Sequence, residues 1–335
     1  MKTQLTLWFN FYHREHREIA KSFTENKVKL LQFPSTYRAN GKLLLTGEYL
    51  VLHGAKAIAL PLKVGQQMLV SKVENSSTVH WQARFQDKIW FECQLKPEDF
   101  SILETSDSAK SDVLQRLFKT IKQLAPDFKL QPGLKLETML EANPEWGFGS
   151  SSTLVSLLAQ GSGADPFRLN ELVFQGSGFD IACATADGPI FYTRNQPVQP
   201  VSLDYPFADQ LFLVYSGKKK GTAQEVRSFL KNKAVSEQQI AAMSALSGEI
   251  ANCCNPAEFY RLIEIHETLI GKLIGQVPVK EQLFPDFEGA IKSLGAWGGD
   301  FWLVSTDWPL YQVRKYFENK GFDLVFKWSD LILSR

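Results

Sequence analysis

The sequence has little of what marks a disulfide-bonded, membrane-spanning or nucleic-acid-binding protein. Its four cysteines, Cys93, Cys183, Cys253 and Cys254, show neither metal-ligand spacing nor a disulfide framework, and free thiols in a reducing cytoplasm are the simplest interpretation. No stretch approaches the roughly 20 apolar residues that a membrane span needs. The 37 basic residues nearly balance the 36 acidic ones, which argues against a nucleic-acid or membrane partner.

The composition is that of a globular protein. Apolar residues make up 44% of the 335 residues, enough for one large core or two ordinary ones. The apolar run Leu5–Tyr12 is too short for a secretory signal and leads directly into charged residues, so no leader is expected. We predict an N-terminal extension over residues 1–32, a first domain over 33–205 and a second over 206–335.

Hydrophobic patterning predicts strands mixed with helices throughout, and therefore an α+β protein. An antiparallel sheet region is expected early in the chain, and further strands and helices follow it. The early sheet segments are Leu43–Leu45, Tyr49–Leu52, Ala57–Leu60, Gln67–Val73 and Thr78–Phe91; later strands are Leu134–Leu140, Ile190–Tyr192, Leu211–Tyr215 and Phe301–Ser305; helices are Ser111–Leu124, Thr153–Gln160, Ile181–Ala186, Ala223–Lys231, Glu237–Cys254, Pro256–Ile274 and Leu310–Lys320.

A glycine- and serine-rich loop, Gly147–Ser152, lies between a predicted strand and a predicted helix. A helix N-terminus presents unpaired N–H groups and a positive dipole end, and glycines let a phosphate approach closely. The alternative is an ordinary loop with a serine N-cap. A Walker A loop would need a lysine here, and a dinucleotide fingerprint would need glycine in place of Ser152.

Other polar residues are ambiguous when each is taken alone. Asp180 follows Gly176-Ser177-Gly178-Phe179 at a predicted helix start, where it is either a base held ionised by the helix or an N-cap. Lys42 precedes an apolar strand and by default is a surface lysine. Lys218-Lys219-Lys220 either binds a phosphate group or is a solvated surface.

Taken together and in order, four segments resemble the motifs of the GHMP kinase superfamily, which includes galactokinase, homoserine kinase, mevalonate kinase and phosphomevalonate kinase. The segments are Asn40–Tyr49, Pro144–Ser152, Ser177–Asp180 and Gly295–Gly299. The resemblance extends from about Gln32 to the end of the sequence. Trp297 departs from it, because it stands where the third glycine motif has glycine.

The resemblance implies the two-domain α+β fold of these kinases, with an N-terminal ATP-binding domain of the ribosomal protein S5 domain 2 type and an α/β C-terminal domain. It implies ATP and Mg²⁺ as cofactors, Asp180 as the catalytic aspartate and Lys42 as a lysine beside it. Ser151 is the implied magnesium ligand, with Glu171 as the nearest candidate for a second one. The implied ATP-binding residues are Gly147, Phe148, Gly149, Ser150, Ser151 and Ser152.

The resemblance also implies a cleft for a small-molecule acceptor. The residues assigned to it are Glu48, Tyr49, Ser177, Gly178, Lys218, Gly295, Gly298 and Gly299. Within the superfamily the motifs look closest to the mevalonate-pathway branch, which makes 5-phosphomevalonate or mevalonate the expected acceptor. The alternatives are a homoserine or sugar kinase, a decarboxylase of the same fold, a non-catalytic nucleotide-binding regulator and an NAD-dependent oxidoreductase. A homodimer is kept as one option for the assembly.

Overall fold

The structure, a computed structural model, describes residues 34–217, 235–295 and 299–334. The predicted N-terminal extension and the helix predicted over Ala223–Lys231 lie outside these ranges. Among the helices that the structure describes, none combines the length and the apolar character needed to cross a membrane.

Strands form where aliphatic, aromatic and β-branched residues alternate or run together. Those in the described ranges are β1 (Ser35–Leu44), β2 (Ala57–Lys72), β3 (Val79–Phe85), β4 (Lys88–Leu95), β5 (Ile102–Thr105), β6 (Leu134–Leu140), β7 (Ile190–Tyr192), β8 (Gln199–Pro200), β9 (Leu211–Tyr215), β10 (Ala290–Leu294), β11 (Phe301–Ser305) and β12 (Val325–Lys327).

Helices begin where a side chain or a proline suits the first turn. Asp107 and Asp165, for example, accept hydrogen bonds from the backbone N–H groups of Lys110 and Arg168. The helices in the described ranges are α1 (Ser108–Leu124), α2 (Ser150–Ser162), α3 (Pro166–Phe174), α4 (Phe179–Ala184), α5 (Glu237–Ala251), α6 (Pro256–Ile274), α7 (Val279–Leu283), α8 (Leu310–Glu318) and α9 (Trp328–Leu331). Three short 3₁₀ turns occupy Leu50–His53, Pro144–Trp146 and Ala208–Gln210.

The first sheet contains eight strands in the order β5-β4-β3-β6-β2-β7-β8, with β1 paired to β2. The 16-residue strand β2 is its centre and runs antiparallel to β1, β6 and β7. Only the β3–β6 pair is parallel among the pairings described. Alternate residues of β6 are buried, so one face of this sheet packs on the core while the other is more open.

The second sheet contains four antiparallel strands in the order β10-β11-β9-β12. Every residue of β10 and β11 is buried, because both faces of the sheet are covered. Leu213 and Leu303 pack toward the first sheet, whereas Phe212 and Val304 pack with Val313 of α8. The lysine Lys292 lies within the fully buried strand β10.

One apolar core joins the two sheets. Leu43, Ile58 and Leu60 from the first sheet share a buried cluster with Leu213 and Leu303 from the second. The chain after α9 also returns to β2. Ile332 forms a β-bridge with Leu62, and the N–H of Leu333 donates to the carbonyl of Pro61 at 3.0 Å.

The predicted α+β class is confirmed, and most long periodic segments form the predicted elements. The structure differs from the predictions in several places, and strand β10, for example, was not predicted. Tyr49–Leu52, predicted within the sheet, gives way to the 3₁₀ turn Leu50–His53, because Tyr49 adopts a left-handed φ of 62° that turns the chain. Helix α3 was not predicted, although Asp165-Pro166 is a helix-start signal.

Candidate active site

The loop that precedes α2 exposes an uncapped helix N-terminus. After the turn Pro144–Trp146, Gly147 and Gly149 have φ values of 70° and 92°, which favour glycine. A β-carbon at Gly149 would lie 2.7 Å from the Ser152 hydroxyl oxygen and 3.2 Å from two carbons of Lys42. No side chain caps α2. Its first N–H groups and its positive dipole end are therefore available to an anion.

The three serines of this loop have different environments. Ser152 is buried and its hydroxyl donates to the Gly149 carbonyl at 2.8 Å, which holds the loop closed. Ser150 is partly buried, and Ser151 is exposed at the helix start. The Ser151 hydroxyl is thus the one of the three that faces solvent.

Lys42 is attached to this loop through both its backbone and its side chain. Its N–H donates to the Phe148 carbonyl at 3.0 Å, and its ammonium donates to the Gly147 carbonyl at 2.9 Å. The register of β1 against β2 shifts between Asn40 and Lys42, and such a bulge re-aims the following side chain. At Gly41 a β-carbon would lie 2.9 Å from the Val64 carbonyl, so the bulge needs a glycine.

Asp180 lies in the first turn of α4. Gly178 precedes this helix at a φ of 94°, where a β-carbon would lie 2.6 Å from the Tyr192 hydroxyl. That hydroxyl donates to the Ser177 carbonyl at 2.7 Å. Both Ser177 and Gly178, predicted to bind the acceptor, therefore shape the turn that presents Asp180.

The carboxyl of Asp180 is only partly satisfied. Its Oδ1 is shielded from solvent and has no hydrogen-bond partner. Burial raises the pKa of Asp180, while nearby Lys42, backbone N–H groups of the helix start and the Ser152 hydroxyl act in the opposite direction. The net shift is upward, which makes this carboxylate a stronger base than an ordinary one.

Glu48 and Tyr49, also predicted to bind the acceptor, are both buried. Glu48 is 3% exposed and forms an ion pair with Lys292, which is 0% exposed. His266 on α6 lies 3.1 Å from the other oxygen of Glu48, and Glu267 lies 3.7 Å from the Lys292 ammonium. We refer to Glu48, His266, Glu267 and Lys292 as the buried charge cluster. Tyr49 packs in an apolar cluster beside α5 and α6.

The remaining predicted residues are those of the third glycine segment, Lys218 and Glu171. Gly295 and Gly299 flank the third glycine segment, and at Gly299 a β-carbon would lie 2.5 Å from the Leu294 carbonyl. Lys218, Gly298 and Trp297 lie outside the described residues. Glu171, the predicted second magnesium ligand, is exposed on α3 and forms an ion pair with Arg168.

Sequence reasoning missed two features of this region. One is the buried charge cluster, whose members are far apart in the sequence. The other is Asp300, the residue after the third glycine segment, whose carboxyl group lies against Gly147. Within the described ranges, no group of three or more His, Cys, Asp and Glu side chains is arranged to hold a metal ion.

No family model matches this chain, and no curated protein sequence matches it. Its structure is similar to that of Methanococcus jannaschii mevalonate kinase, with a TM-score of 0.68 and 14% identity over 90% of this chain and 98% of that one. It is also similar to Streptococcus pneumoniae phosphomevalonate kinase in complex with phosphomevalonate and AMPPNP, with a TM-score of 0.63 and 17% identity over 89% and 98%. Lactococcus lactis galactokinase complexed with galactose gives a TM-score of 0.61 and 13% identity over 89% and 93%.

The chain therefore has the two-domain α+β fold of the GHMP kinases, as the four motifs predicted. The similar structures of that fold include mevalonate kinase, phosphomevalonate kinase and galactokinase.

Proposed function

We propose that the protein is an ATP-dependent small-molecule kinase with its catalytic centre at Asp180 and Lys42. The observation that carries the proposal is the meeting of three distant segments. The uncapped N-terminus of α2, the Lys42 ammonium bound to the Gly147 carbonyl, and the buried, unpartnered oxygen of Asp180 lie together. Phosphoryl transfer requires such a combination of phosphate binding, positive charge and an oriented acceptor.

ATP fits the loop on structural grounds. The residues that would hold its phosphates are the backbone N–H groups and hydroxyls of the loop, Gly147, Phe148, Gly149, Ser150, Ser151 and Ser152. Side chains are excluded at Gly149 by Lys42 and Ser152. Glycine is therefore required for the closed shape of the loop, and the phosphates would bind at the uncapped N–H groups where α2 begins.

The same loop offers an oxygen ligand for Mg²⁺. The exposed hydroxyl of Ser151 is an oxygen donor of the kind that Mg²⁺ accepts, and Mg²⁺ usually keeps few protein ligands beside substrate phosphates and water. When bound, it would neutralise charge on the phosphates. Glu171 is an unsuitable second ligand as placed, because it is exposed and paired with Arg168.

In the proposed reaction, an acceptor oxygen forms a bond to the γ-phosphorus of ATP. The bond from that phosphorus to the β–γ bridging oxygen breaks, and ADP leaves with the electron pair. For a hydroxyl acceptor, Asp180 accepts the proton, and its raised pKa suits that role. An acceptor that is a phosphate monoester is already mostly anionic near neutral pH, with a second pKa of about 6, so Asp180 would orient it instead. Lys42 supplies positive charge beside the loop.

For the acceptor we propose 5-phosphomevalonate or mevalonate, which makes the reaction a cytoplasmic step of isoprenoid precursor synthesis. The motif resemblance and the similar structures of the mevalonate branch support this choice. The test is ADP release from the full chain with ATP and, in turn, mevalonate, 5-phosphomevalonate, homoserine and galactose. Phosphorylated product is identified by mass, and release of carbon dioxide is monitored in parallel.

We expect turnover with one of the two mevalonate compounds and no carbon dioxide. Turnover with homoserine or galactose alone would retain the kinase and reject the pathway. ATP binding without transfer to any acceptor would instead indicate a nucleotide-binding regulator.

A further inference from the structure

The side chain of Asp300 fills the space beside Gly147 in which any other residue would place a β-carbon. Such an atom would lie 2.5 Å from Cγ of Asp300 and would overlap its Oδ2. Gly147 belongs to the loop before α2, on the side of the first sheet, whereas Asp300 immediately precedes β11 of the second sheet. The carboxyl group of Asp300, beside the second sheet, therefore packs directly on the loop Gly147–Ser152 beside the first sheet. We refer to Gly147–Ser152 as the phosphate loop.

Asp300 is held from its own side of the cleft. Its carbonyl accepts a hydrogen bond from the Ser216 N–H at 3.0 Å, and the Ser216 hydroxyl donates to the Gly299 carbonyl at 2.7 Å. Ser216 is itself 8% exposed. The backbone that carries the carboxyl group is thus fixed to the end of β9.

Gly147 connects Asp300 with the candidate active site. Its carbonyl accepts the Lys42 ammonium at 2.9 Å, and Lys42 lowers the pKa of Asp180 against the effect of burial. A rotation of the Gly147 peptide would therefore move the acceptor of the Lys42 hydrogen bond and the start of the loop at the same time.

We propose that Asp300 is a positioning residue for phosphoryl transfer: by packing on Gly147 it fixes the peptide that holds Lys42 and the entrance of the phosphate loop. This inference rests on the kinase function proposed above. Asp300 acts through Gly147 and Lys42 and has no assigned contact with either substrate.

A second contact between the two halves must be separated from this one. The rings of Phe148 and Phe301 are stacked with centroids 4.9 Å apart, and Trp146 packs edge-on against Phe301. These apolar contacts hold the loop near β11 whether or not a carboxyl group is present at position 300. The test must therefore change the carboxyl group and leave the aromatic rings in place.

The first experiment compares Asp300→Ala with Asp300→Asn in the full chain. Asn keeps the shape that packs on Gly147, while Ala removes it. Because a misplacement of about 1 Å can cost on the order of 100-fold in rate, we expect Asp300→Ala to lower kcat/KM for ATP by about 10- to 100-fold. The acceptor KM should be unchanged, and Asp300→Asn should retain most of the activity. Asp307→Ala, at an exposed position two residues after β11, is the matched control and should match the wild type.

The second experiment uses the steric overlap itself. Gly147→Ala should disable the loop, since its β-carbon collides with Asp300 and its φ is left-handed. Adding Asp300→Ala removes the collision and leaves only the backbone strain. We expect the double variant to recover at least about tenfold in kcat/KM over Gly147→Ala, as directly contacting residues couple strongly. Additive losses would overturn the contact.

Direct titration with a fluorescent ATP analogue separates this inference from the kinase assignment. If wild type binds the analogue but transfers phosphate to no acceptor, the kinase function fails, and weaker binding by Asp300→Ala still supports positioning. If wild type is active and Asp300→Ala equals it in kcat, ATP KM and analogue affinity, the positioning role is wrong and the kinase stands. No binding by wild type would overturn both.

Discussion

The carboxyl groups of Asp180 and Glu48 are both withdrawn from solvent, and their pKa values move in opposite directions. Burial raises the pKa of Asp180, and Lys42 only partly offsets it. Burial acts in the same sense on Glu48, but Lys292 and His266 outweigh it and hold the pKa of Glu48 below its ordinary value of 4.5.

The difference lies in how each neighbouring lysine is used. Lys292 forms its ion pair directly with Glu48, so its charge is matched within the buried cluster. Lys42 donates instead to the Gly147 carbonyl and acts on Asp180 through space. A buried acid with a direct partner stabilises the join between the sheets, whereas one left incompletely paired remains available as a base.

The largest expected effect tests the incompletely paired acid. Asp180→Asn keeps the shape of the side chain but removes the proton acceptor, and loss of a general base typically costs about 10²- to 10⁴-fold. We expect a fall of that size in kcat on a hydroxyl acceptor, with affinity for an ATP analogue retained. Asp187→Asn, an exposed acid shortly after the same helix, is the control. Unchanged turnover in Asp180→Asn would contradict the assigned role.

The next effect concerns the paired acid and is one of stability. Lys292→Met leaves Glu48 and Glu267 buried without their shared cation, and breaking a buried pair in this way costs about 3–5 kcal/mol. The free energy of unfolding in urea should fall by that amount. The matched control is Lys320→Met, whose pair with Asp286 is exposed and should contribute much less to stability. Equal losses in the two variants would show that burial does not strengthen the pair.

A smaller expected effect is an increase in stability. The charged form of Asp180 is penalised by burial, so replacing it by the neutral Asn should stabilise the protein at neutral pH by about 1 kcal/mol. The same variant would then be inactive and more stable. Thermal unfolding of wild type and Asp180→Asn in one buffer measures this, and a lower melting temperature for the variant would contradict it.

The smallest effect is a difference in pH dependence. The raised pKa of Asp180 adds stability below its ordinary value of 3.8, and this is lost as pH rises through the folded-state pKa. The lowered pKa of Glu48 adds stability above 4.5, and this is lost as pH falls through the folded-state pKa. Relative to wild type, Asp180→Asn should therefore gain stability as pH rises above about 4, whereas the deficit of Glu48→Gln should shrink as pH falls below about 4.5. Urea unfolding across this range measures both slopes, and slopes of the same sign would refute the contrast.

The fold and the surroundings of Asp180 could be predicted from the sequence. Glycines at 147, 149 and 178 stand where the chain must turn with positive φ, and this requirement is local. Motif order then brought Lys42 and Asp180 to the same loop. The strand Leu134–Leu140 and the helix Pro256–Ile274 were predicted with their structural bounds, because their apolar spacing is regular.

The ion pair of Glu48 with Lys292 could not be predicted, because it depends on packing between distant segments. Lys292 lies in an apolar strand that sequence reasoning did not identify, and nothing local distinguishes it from a surface lysine. Its pairing with Glu48 spans 244 residues. The contact of Asp300 with Gly147 likewise joins segments that are far apart in the sequence. Tyr49 was placed in the sheet because its apolar neighbours suggested a strand and its left-handed φ has no local signal.

The return of the chain from α9 to β2 has a consequence for how the molecule would respond to a cut. The carbonyl of Pro61 accepts the N–H of Leu333, and Lys63 donates to the Ser329 carbonyl at 2.6 Å. Together with the shared core, these contacts tie the second sheet to the first independently of the peptide that links β8 to β9. Two fragments divided between β8 and β9 would therefore carry complementary surfaces and should reassemble when mixed.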